Sequence, residues 1–392
     1  MLNLTIEKLI DDYNEKEQIR IFKELVQIPS ENPGNYEEGI AKKIQNILNN
    51  EGIKNKLVYI NDKRPNVYAE LEGSVEGKTL IYNGHIDTVP VGEGWEHNPF
   101  SAYEDEEGYI YGRGASDMKA GVSSMLYAAI CLKKSGYPKE GKLILFFNID
   151  EEISNLGMKQ FLEEDISADY AIISEPTNLD IAIGHRGTAR YNLKTRGIAG
   201  HSCYVAHPDN AIEKMNSLLP LLFDWGRRIK KEKINKFLGS ALSNVTTIHG
   251  GTAGNIIPDE CIVEIDRRLL PGETIEEVNE EYTKILTHEG EVDFELENYI
   301  FLPASLIEKD HHFVKFIYDT TKKYNEKVKI KSFEATCEAP FFSINKGIPT
   351  IIFGPGSLSQ AHVVNERVHK SEVIKAGKLF IEICISLLNN KG

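Results

Sequence analysis

The sequence predicts an α/β protein into which a second, α+β domain is inserted. Short β-rich runs alternate with helical segments in residues 1–186 and again in 300–392, which is typical of a sheet covered by helices. Residues 187–299 instead follow a β-α-β-β-α-β order, the split βαβ arrangement with an antiparallel sheet. We therefore expect one discontinuous domain, formed by 1–186 and 300–392, and an inserted domain at 187–299.

The first part of the discontinuous domain opens with helices. Apolar positions recur at helical spacing in residues 5–27 and 36–51, and Pro29, Pro33 and Gly34 break the chain between these segments. A further helix at 117–134 is apolar enough to be buried and has small residues on a close-packing face. β-rich runs predict the strands, which are LVYI near residue 57, NVYAEL near 66, KTLIYNGHI near 78, KLILFFNI near 142 and AIISE at 171–175.

The inserted domain is predicted from four strand patterns and two helices. Polar and apolar residues alternate in RYNLKTRG, SNVTTIHG, CIVEIDRRL and EVDFELE, and helical spacing covers 209–232 and 274–287. Beyond Ser305 the alternation of helical segments and β-rich runs returns, with a helix at 310–324, the strands VKIKSF and PTIIFG, and a terminal helix at 371–389. The tail of the chain is therefore expected to complete the first domain.

Charge and hydropathy argue against several classes of function. Lys plus Arg number 45 and Asp plus Glu 59, a net charge of −14, whereas nucleic-acid binding requires neutralised phosphates. The longest uncharged stretch, 347–365, contains three Gly, two Pro and a His, which is unsuited to a membrane span. The amino terminus lacks a basic start followed by an apolar run, and the five cysteines show no CxxC spacing. We expect a cytoplasmic protein with no nucleic-acid or membrane partner.

Imidazole and carboxylate side chains follow the ends of several predicted strands. They are His85 and Asp87, the run Asp150-Glu151-Glu152, Glu175 and, in a later loop, His362, while Asp117 opens a predicted helix. Because ligands of an open α/β sheet bind at the carboxyl ends of its strands, we expect these groups to converge. Gathered carboxylates need compensating cations, and imidazole with carboxylate suits Zn²⁺. The set is large enough for two ions that share a carboxylate.

The spacing of these residues also suggests different roles. His85 and Asp87 lie on one face of a strand, so Asp87 can orient an imidazole rather than bind metal. Glu151 and Glu152 point in different directions, which leaves one of them free as a base for water. Taken separately, each motif has an ordinary structural explanation: a polar contact, a solvated acidic loop and a helix cap at Asp117. Their joint position at strand ends favours the metal site.

Ten motifs, spread in order over nearly the whole chain, resemble the di-zinc amidohydrolase superfamily. That superfamily contains acetylornithine deacetylase, succinyl-diaminopimelate desuccinylase, aminoacylase and glutamate carboxypeptidase. The motifs are GHIDTVP (84–90), Trp95-x-x-x-Pro99-Phe100, GRGASDMKAG (112–121), DEE (150–152), SEPTN (174–178), GIAGHS (197–202), GGTAGNIIPDEC (250–261), DRRLLPGE (266–273), CEAPFF (337–342) and GPGSLSQAH (354–362). The resemblance implies a mixed-sheet zinc-hydrolase domain and an inserted ferredoxin-like domain that serves as lid and dimerises.

The resemblance also implies a role for each candidate residue. Two divalent ions, zinc first with cobalt or manganese as alternatives, are expected at His85, Asp117, Glu152, Glu175 and His362, with Asp117 as the bridge. Asp87 is expected to orient His85, and Glu151 to serve as general base. In a homodimer formed through the inserted domain, His201 is expected to reach the partner's site and stabilise the oxyanion. Asn255 and Arg268 are expected to bind the substrate carboxylate. Without the resemblance, His201 reads as a polar surface residue and Arg268 as a strand-surface charge.

The expected reaction is hydrolysis of an N-acyl amino acid or short peptide. The run 337–341 with GPGSLSQAH resembles acetylornithine deacetylase, an enzyme of amino-acid biosynthesis, whereas 365–368 is closer to the desuccinylase. Glutamate at position 175, where some relatives have aspartate, favours deacylases. N-Acetylornithine is therefore the leading substrate, and the alternatives are a desuccinylase and a carboxypeptidase or dipeptidase. A noncatalytic binding protein would lack at least one metal-binding residue, yet all five expected positions carry a residue that can bind metal. The sequence also lacks HExxH, GxSxG and GxxxxGK motifs.

Overall fold

The computed structural model describes residues 2–203, 209–287 and 292–389, with the backbone alone for residues 2–5. Its helices are α1 Leu2–Asp11, α2 Glu15–Val26, α3 Glu38–Asn50, α4 Ala120–Lys134, α5 Leu156–Glu163, α6 Ala211–Glu232, α7 Ile275–Leu286, α8 His312–Lys322 and α9 Lys370–Leu388. Short helical turns lie at Ala115–Lys119, Phe341–Asn345 and Leu358–Gln360.

The strands follow in chain order. They are β1 Lys54–Asn61, β2 Arg64–Glu72, β3 Val75–His85, β4 Tyr103–Glu104, β5 Tyr109–Tyr111, β6 Glu140–Asn148, β7 Tyr170–Ile173, β8 Ile181–Ala182, β9 Gly184–His185, β10 Gly187–Arg196, β11 Gly200–His201, β12 Ile234–Asn235, β13 Gly239–Ser240, β14 Leu242–Gly250, β15 Ile256–Ile257, β16 Glu260–Leu269, β17 Phe294–Leu302, β18 Ser305–Leu306, β19 Ile330–Lys331, β20 Thr350–Ile352 and β21 Arg367–His369.

The chain divides into two compact units. Unit 1 comprises Met1–Ile183, Ile307–Phe333 and Cys337–Gly392, and unit 2 comprises Gly184–Leu306 with Glu334–Thr336. Unit 1 contains an eight-stranded mixed sheet in the order β1-β2-β6-β3-β7-β20-β8-β19. Its four central strands, β6, β3, β7 and β20, run parallel to one another. Both α4 and α9 contact β3 and each other, and their buried side chains supply much of the core.

Unit 2 contains an antiparallel four-stranded sheet in the order β14-β16-β10-β17. Side chains of β16 alternate between buried and partly exposed, as expected for a sheet with one covered face. Helices α6 and α7 pack on the covered face, where Met215 and Val278 join Val263 and Ile265 in one hydrophobic core. The elements thus follow the predicted β-α-β-β-α-β order. Glu291, the first residue of the last predicted strand, lies outside the described residues.

Two helix boundaries differ from the prediction. The segment 5–27 forms two helices rather than one, because α1 ends at Asp11 and a new helix, α2, begins at Glu15. Asn14 caps α2, since its side chain accepts a hydrogen bond from the Glu17 backbone N–H at 3.2 Å. The helix predicted from Asp117 begins at Ala120, since Asp117 and Met118 have non-helical backbone angles. Asp117 therefore lies on an irregular turn rather than at a helix cap. Among the described residues, no helix has the length and apolar character needed to cross a membrane.

Candidate metal centre and active site

The carboxyl ends of the central parallel strands of unit 1 carry most of the candidate ligands. His85 is the last residue of β3, Glu151 and Glu152 follow the end of β6, and Glu175 follows the end of β7. Because β6, β3 and β7 are adjacent and parallel, their carboxyl ends share one edge of the sheet. His362 lies in the loop after β20, the next strand along. The fold therefore gathers side chains that are up to several hundred residues apart in sequence.

A first cluster consists of His85, Asp117 and Glu175, all buried. The Nε2 atom of His85 lies 3.0 Å from Oδ1 of Asp117 and 3.8 Å from Oε1 of Glu175. One potential ligand atom from each residue lies within 4.8 Å of the other two. These three side chains form a compact nitrogen and oxygen donor set.

A second cluster consists of Asp117, Glu152 and His362. The Nε2 atom of His362 lies 3.0 Å from Oε2 of Glu152 and 3.4 Å from Oδ2 of Asp117. Asp117 thus faces His85 with one carboxylate oxygen and His362 with the other. His362 has a φ of +62°, a conformation that residues with a Cβ rarely adopt and that often occurs at functional sites. Its side chain is 53% exposed, so this cluster is open to solvent.

Asp87 contacts both the first histidine and the acidic loop. Nδ1 of His85 lies 2.9 Å from the backbone oxygen of Asp87 and 3.5 Å from its Oδ1. The Asp87 carboxylate also accepts hydrogen bonds from the backbone N–H groups of Glu151 at 3.1 Å and Glu152 at 3.3 Å. Asn32, which no sequence motif singles out, donates to Asp87 Oδ2 at 3.0 Å. Asp87 is therefore placed to hold the imidazole and the loop rather than to face the clusters.

Glu151 belongs to a third group, with Glu175 and Glu338, whose carboxylate oxygens lie within 4.8 Å of one another. Glu338 is fully buried, and its Oε1 accepts a hydrogen bond from Asn148 Nδ2 at 2.8 Å. Its Oε2 has no hydrogen-bond partner among the residues that the structure describes. Glu338 belongs to the CEAPFF motif, but the sequence alone indicates no role for it. No short spacing links it to Glu151 or Glu175, so its position could not be inferred before the fold was known.

The electrostatics of the site reflect crowded carboxylates. Burial raises the pKa of Glu151 well above its usual value, and the charge of Glu338 adds to this effect. Burial raises the pKa of Glu175 in the same way, assisted by the charge of Asp117. Burial opposes ionisation of Asp117 as well, but hydrogen bonds with His362 and His85 outweigh it and lower its pKa. The two histidines thus compensate Asp117, whereas burial and neighbouring carboxylates disfavour the ionised forms of Glu151 and Glu175.

This donor set fits divalent metal ions. Imidazole nitrogens and carboxylate oxygens are ligands of Zn²⁺ and of neighbouring transition metals, and a shared carboxylate is the usual link in two-metal sites. His85 with Glu175 and His362 with Glu152 flank Asp117 in the required way. The unpaired buried oxygen of Glu338 and the raised pKa of Glu151 show that the grouped carboxylates would be stabilised by bound cations.

The remaining candidate residues lie in unit 2. His201 on β11 pairs with Ile256 on β15, and the Ser202 N–H donates to the Asn255 backbone oxygen at 3.0 Å, so two motifs distant in sequence are neighbours. Both His201 and Asn255 are exposed. Arg268 lies on β16, and its Nε donates to Oδ1 of Asp266 at 2.8 Å. The roles expected for His201, Asn255 and Arg268 stay predictions.

A match to a family model, together with the nitrogen and oxygen donor set, identifies the protein as a metallo-amidohydrolase. Residues 81–386 match the model of peptidase family M20/M25/M40, and the chain belongs to this family. It is 30% identical over 368 residues to a Peptidase M20 domain-containing protein, C757.05c, of Schizosaccharomyces pombe, with 91% of this chain and 81% of the relative covered. It is 29% identical over 423 residues to N-formyl-4-amino-5-aminomethyl-2-methylpyrimidine deformylase of Bacillus subtilis, with 99% and 98% covered.

The fold is also similar to that of solved structures. The M20 family metallo-carboxypeptidase Sso-CP2 from Sulfolobus solfataricus superposes with a TM-score of 0.80 at 22% identity, covering 94% of this chain and 98% of that one. The agreement confirms the predicted fold class, a mixed α/β sheet with an inserted α+β unit.

Proposed function

We propose that the protein hydrolyses the amide bond of an N-acyl amino acid, releasing a carboxylic acid and a free amino acid, with N-acetylornithine as the leading substrate. The observation that carries this proposal is the position of Asp117 between two histidine–carboxylate pairs, with the Glu151 carboxylate close to Glu175. A base beside paired metal ligands is the arrangement that hydrolysis of an unactivated amide requires. The similarity to a deformylase, which acts on an N-acyl group, supports a deacylase.

Each residue of unit 1 has a distinct part in the proposed reaction. His85 and Glu175 would hold one divalent ion, Glu152 and His362 the other, and Asp117 both. Two bound ions would neutralise the carboxylates and polarise the water and the scissile carbonyl group. Glu151 then takes a proton from the attacking water and donates it to the nitrogen of the departing amine, so the amide C–N bond breaks with no net gain or loss of protons. Asp87 keeps the His85 ring in the orientation that presents Nε2.

The residues of unit 2 complete the proposal. His201 from a second copy of the chain would donate a hydrogen bond to the oxyanion, and Asn255 and Arg268 would bind the carboxylate of the substrate. This arrangement requires a homodimer formed through the inserted domain. We further propose a cytoplasmic location and a place in amino-acid biosynthesis, which follow from the sequence pattern and the choice of substrate.

Two other substrate classes use the same metal residues. The run 365–368 favours N-succinyl amino acids, and the similarity in fold to a carboxypeptidase makes short peptides the second candidate. The metal centre does not distinguish these substrates, because each presents the same amide group to Glu151. They differ in the acyl group and in the residue that follows the amide bond.

The proposal is tested by a metal assay on purified protein and a panel of N-acetyl, N-succinyl and dipeptide substrates. We expect about two metal ions per chain and the highest kcat/KM on N-acetylornithine. Glu151→Gln protein, prepared identically, controls for contaminating hydrolases. Higher activity on dipeptides would favour a peptidase. Inactivity on every substrate after addition of zinc or cobalt would refute the proposed hydrolase activity.

A further inference from the structure

A buried carboxylate outside the proposed ligand set lies under the turn that carries Asp117. Glu366 is 1% exposed and accepts four hydrogen bonds from N–H groups. Its Oε1 accepts from the backbone of Ser116 at 2.8 Å and of Asp117 at 3.0 Å. Its Oε2 accepts from the backbone of Gly114 at 2.9 Å and from Arg113 Nη1 at 2.8 Å. These four donors use the four lone-pair positions of a carboxylate, so Glu366 has no free oxygen to offer a metal ion.

The position of Glu366 links two segments that carry metal ligands. It lies four residues after His362 in the same loop, and three of its donors belong to the turn that includes Asp117. Its backbone oxygen accepts a further hydrogen bond from the Gly112 N–H at 3.0 Å. These hydrogen bonds connect the turn of Asp117 to the loop of His362, and the facing atoms of these two residues are 3.4 Å apart.

Arg113 extends the connection to the segment after Asp87. Its Nη1 donates to the backbone oxygen of Val363 at 3.2 Å as well as to Glu366, and its Nη2 donates to those of Pro90 at 3.2 Å and Val91 at 3.1 Å. Arg113 is 2% exposed, and the carboxylate of Glu366 compensates its buried charge. One ion pair therefore joins the chain segments that follow β3, precede α4 and precede β21.

We propose that Glu366 is a positioning residue of the metal centre, which sets the separation between Asp117 and His362 without binding metal. The inference rests on the proposed metal site but not on the identity of the substrate. An amide at position 366 would have one acceptor atom and would direct its NH₂ group at backbone N–H donors. The turn would have to move, and Asp117 would move with it. Outer-shell partners of metal ligands typically change metal affinity about 10-fold to 100-fold.

The test measures metal affinity rather than turnover. Metal-free wild-type and Glu366→Gln protein are titrated with Zn²⁺ against a competing chelator, and Co²⁺ absorption spectra report ligand geometry. We expect the zinc dissociation constant to rise about 10-fold to 100-fold, together with an altered Co²⁺ spectrum. Glu382→Gln is the matched control, because Glu382 is a 4% exposed carboxylate of the same unit that pairs with Lys323 and Tyr324 instead. Its zinc affinity should equal that of the wild type.

Glu366→Asp is the second variant, since it keeps the charge but shortens the reach by one methylene. We expect a smaller loss of zinc affinity in the same direction. Wild-type affinity in folded Glu366→Gln protein, or an equal loss in Glu382→Gln, would overturn the proposal. Loss of the metal-free fold in both Glu366 variants, seen by circular dichroism, would assign the residue to stability instead. Wild-type protein that binds metal but cleaves no substrate would contradict the proposed function and not this inference.

Discussion

The charged network around Arg267 in unit 2 is balanced, whereas the carboxylate clusters at the sheet edge of unit 1 are not. In unit 2, fully buried Arg267 lies 2.5 Å from Glu273 and 3.8 Å from Glu281, and Lys233 pairs with the same two carboxylates. Two cations thus face two anions. Such a network holds α7, β16 and the end of α6 together and leaves no charge for a ligand to neutralise.

The cluster in unit 1 has the opposite composition. Two imidazoles face a surplus of carboxylates, which are Asp87, Asp117, Glu151, Glu152, Glu175 and Glu338. Because burying like charges is costly, this cluster is stable only when bound cations or protons neutralise the excess negative charge. The sign balance of the grouped charges thus distinguishes the structural network of unit 2 from the candidate metal centre of unit 1, although both consist mainly of ionisable side chains.

The largest effect is expected at the proposed base. Glu151→Gln removes the group that moves the proton while keeping the size of the side chain, so kcat should fall about 10²-fold to 10⁴-fold. Metal content should remain that of the wild type, since Glu151 is not among the five proposed ligands. Steady-state kinetics and elemental analysis measure the two quantities. Glu163→Gln, the same change at an exposed position of unit 1, is the control, and near wild-type kcat for Glu151→Gln would refute its role.

Breaking the balanced network of unit 2 should cost stability rather than chemistry. Arg267→Met leaves Glu273 and Glu281 facing Lys233 alone, and removing one partner of a buried ion pair costs about 3–5 kcal/mol. The chain has two tryptophans, Trp95 in unit 1 and Trp225 in the core of unit 2. In a Trp95→Phe background, urea unfolding followed by fluorescence therefore reports on unit 2.

Arg227→Met controls for the loss of a positive charge in the same unit, because Arg227 pairs with Asp224 at the exposed surface of α6. This variant should unfold at nearly the same urea concentration as its parent. If the two arginine variants unfold at the same urea concentration, the network around Arg267 contributes no more to stability than an exposed ion pair.

Much of the site could be predicted because its geometry follows from local patterns. Runs of β-rich residues locate β3, β6 and β7, and parallel strands place their final residues at one edge, so His85, Glu152 and Glu175 needed no knowledge of tertiary contacts. Assigning different roles to Asp150, Glu151 and Glu152 did require knowledge of tertiary contacts. Asp150 is compensated by Arg64 of β2 at 2.8 Å. In the described part of the chain, neither Glu151 nor Glu152 pairs with a lysine or arginine.

Residues that act through distant partners could not be predicted. Glu366 receives its hydrogen bonds from residues about 250 positions earlier, and Glu338 lies beside Glu151 and Glu175 through the packing of separate segments. Neither relationship leaves a periodic or short-range pattern. The break between α1 and α2 is different, since Asn14 followed three residues later by Glu17 is a recognisable start of a helix.

The surplus of carboxylates also predicts how metal and pH act together. Burial, with neighbouring charge, raises the pKa of Glu151 and Glu175, and hydrogen bonds with Asp117 and Glu152 raise the pKa of His362 to about 10. The folded metal-free protein therefore holds more protons than the unfolded chain, and stability is lost as the pH rises above 6.5 toward 10. Lys119 opposes this trend, because burial lowers its pKa to about 7.

The measurement is the melting temperature from pH 6 to pH 9, with chelator and with excess zinc. Since metal must displace the bound protons, the stabilisation by zinc should grow with pH. Taking the difference between the two conditions cancels groups remote from the site. A zinc effect that is constant or shrinks with pH would show that the clusters do not release protons on binding metal.

The smallest effect should come from neutralising one surplus carboxylate. Glu338→Gln keeps an acceptor for Asn148 and removes one carboxylate from the group with Glu151 and Glu175, so the metal-free protein should gain about 1 kcal/mol at pH 8. Urea unfolding in chelator, followed by Trp95 fluorescence in a Trp225→Phe background, measures this change. Glu382→Gln should instead lose stability, because Lys323 and Tyr324 lose a charged partner. Both variants delete the same charge from a buried position of unit 1, so opposite signs would isolate the environment as the cause, and equal losses would contradict the surplus of negative charge.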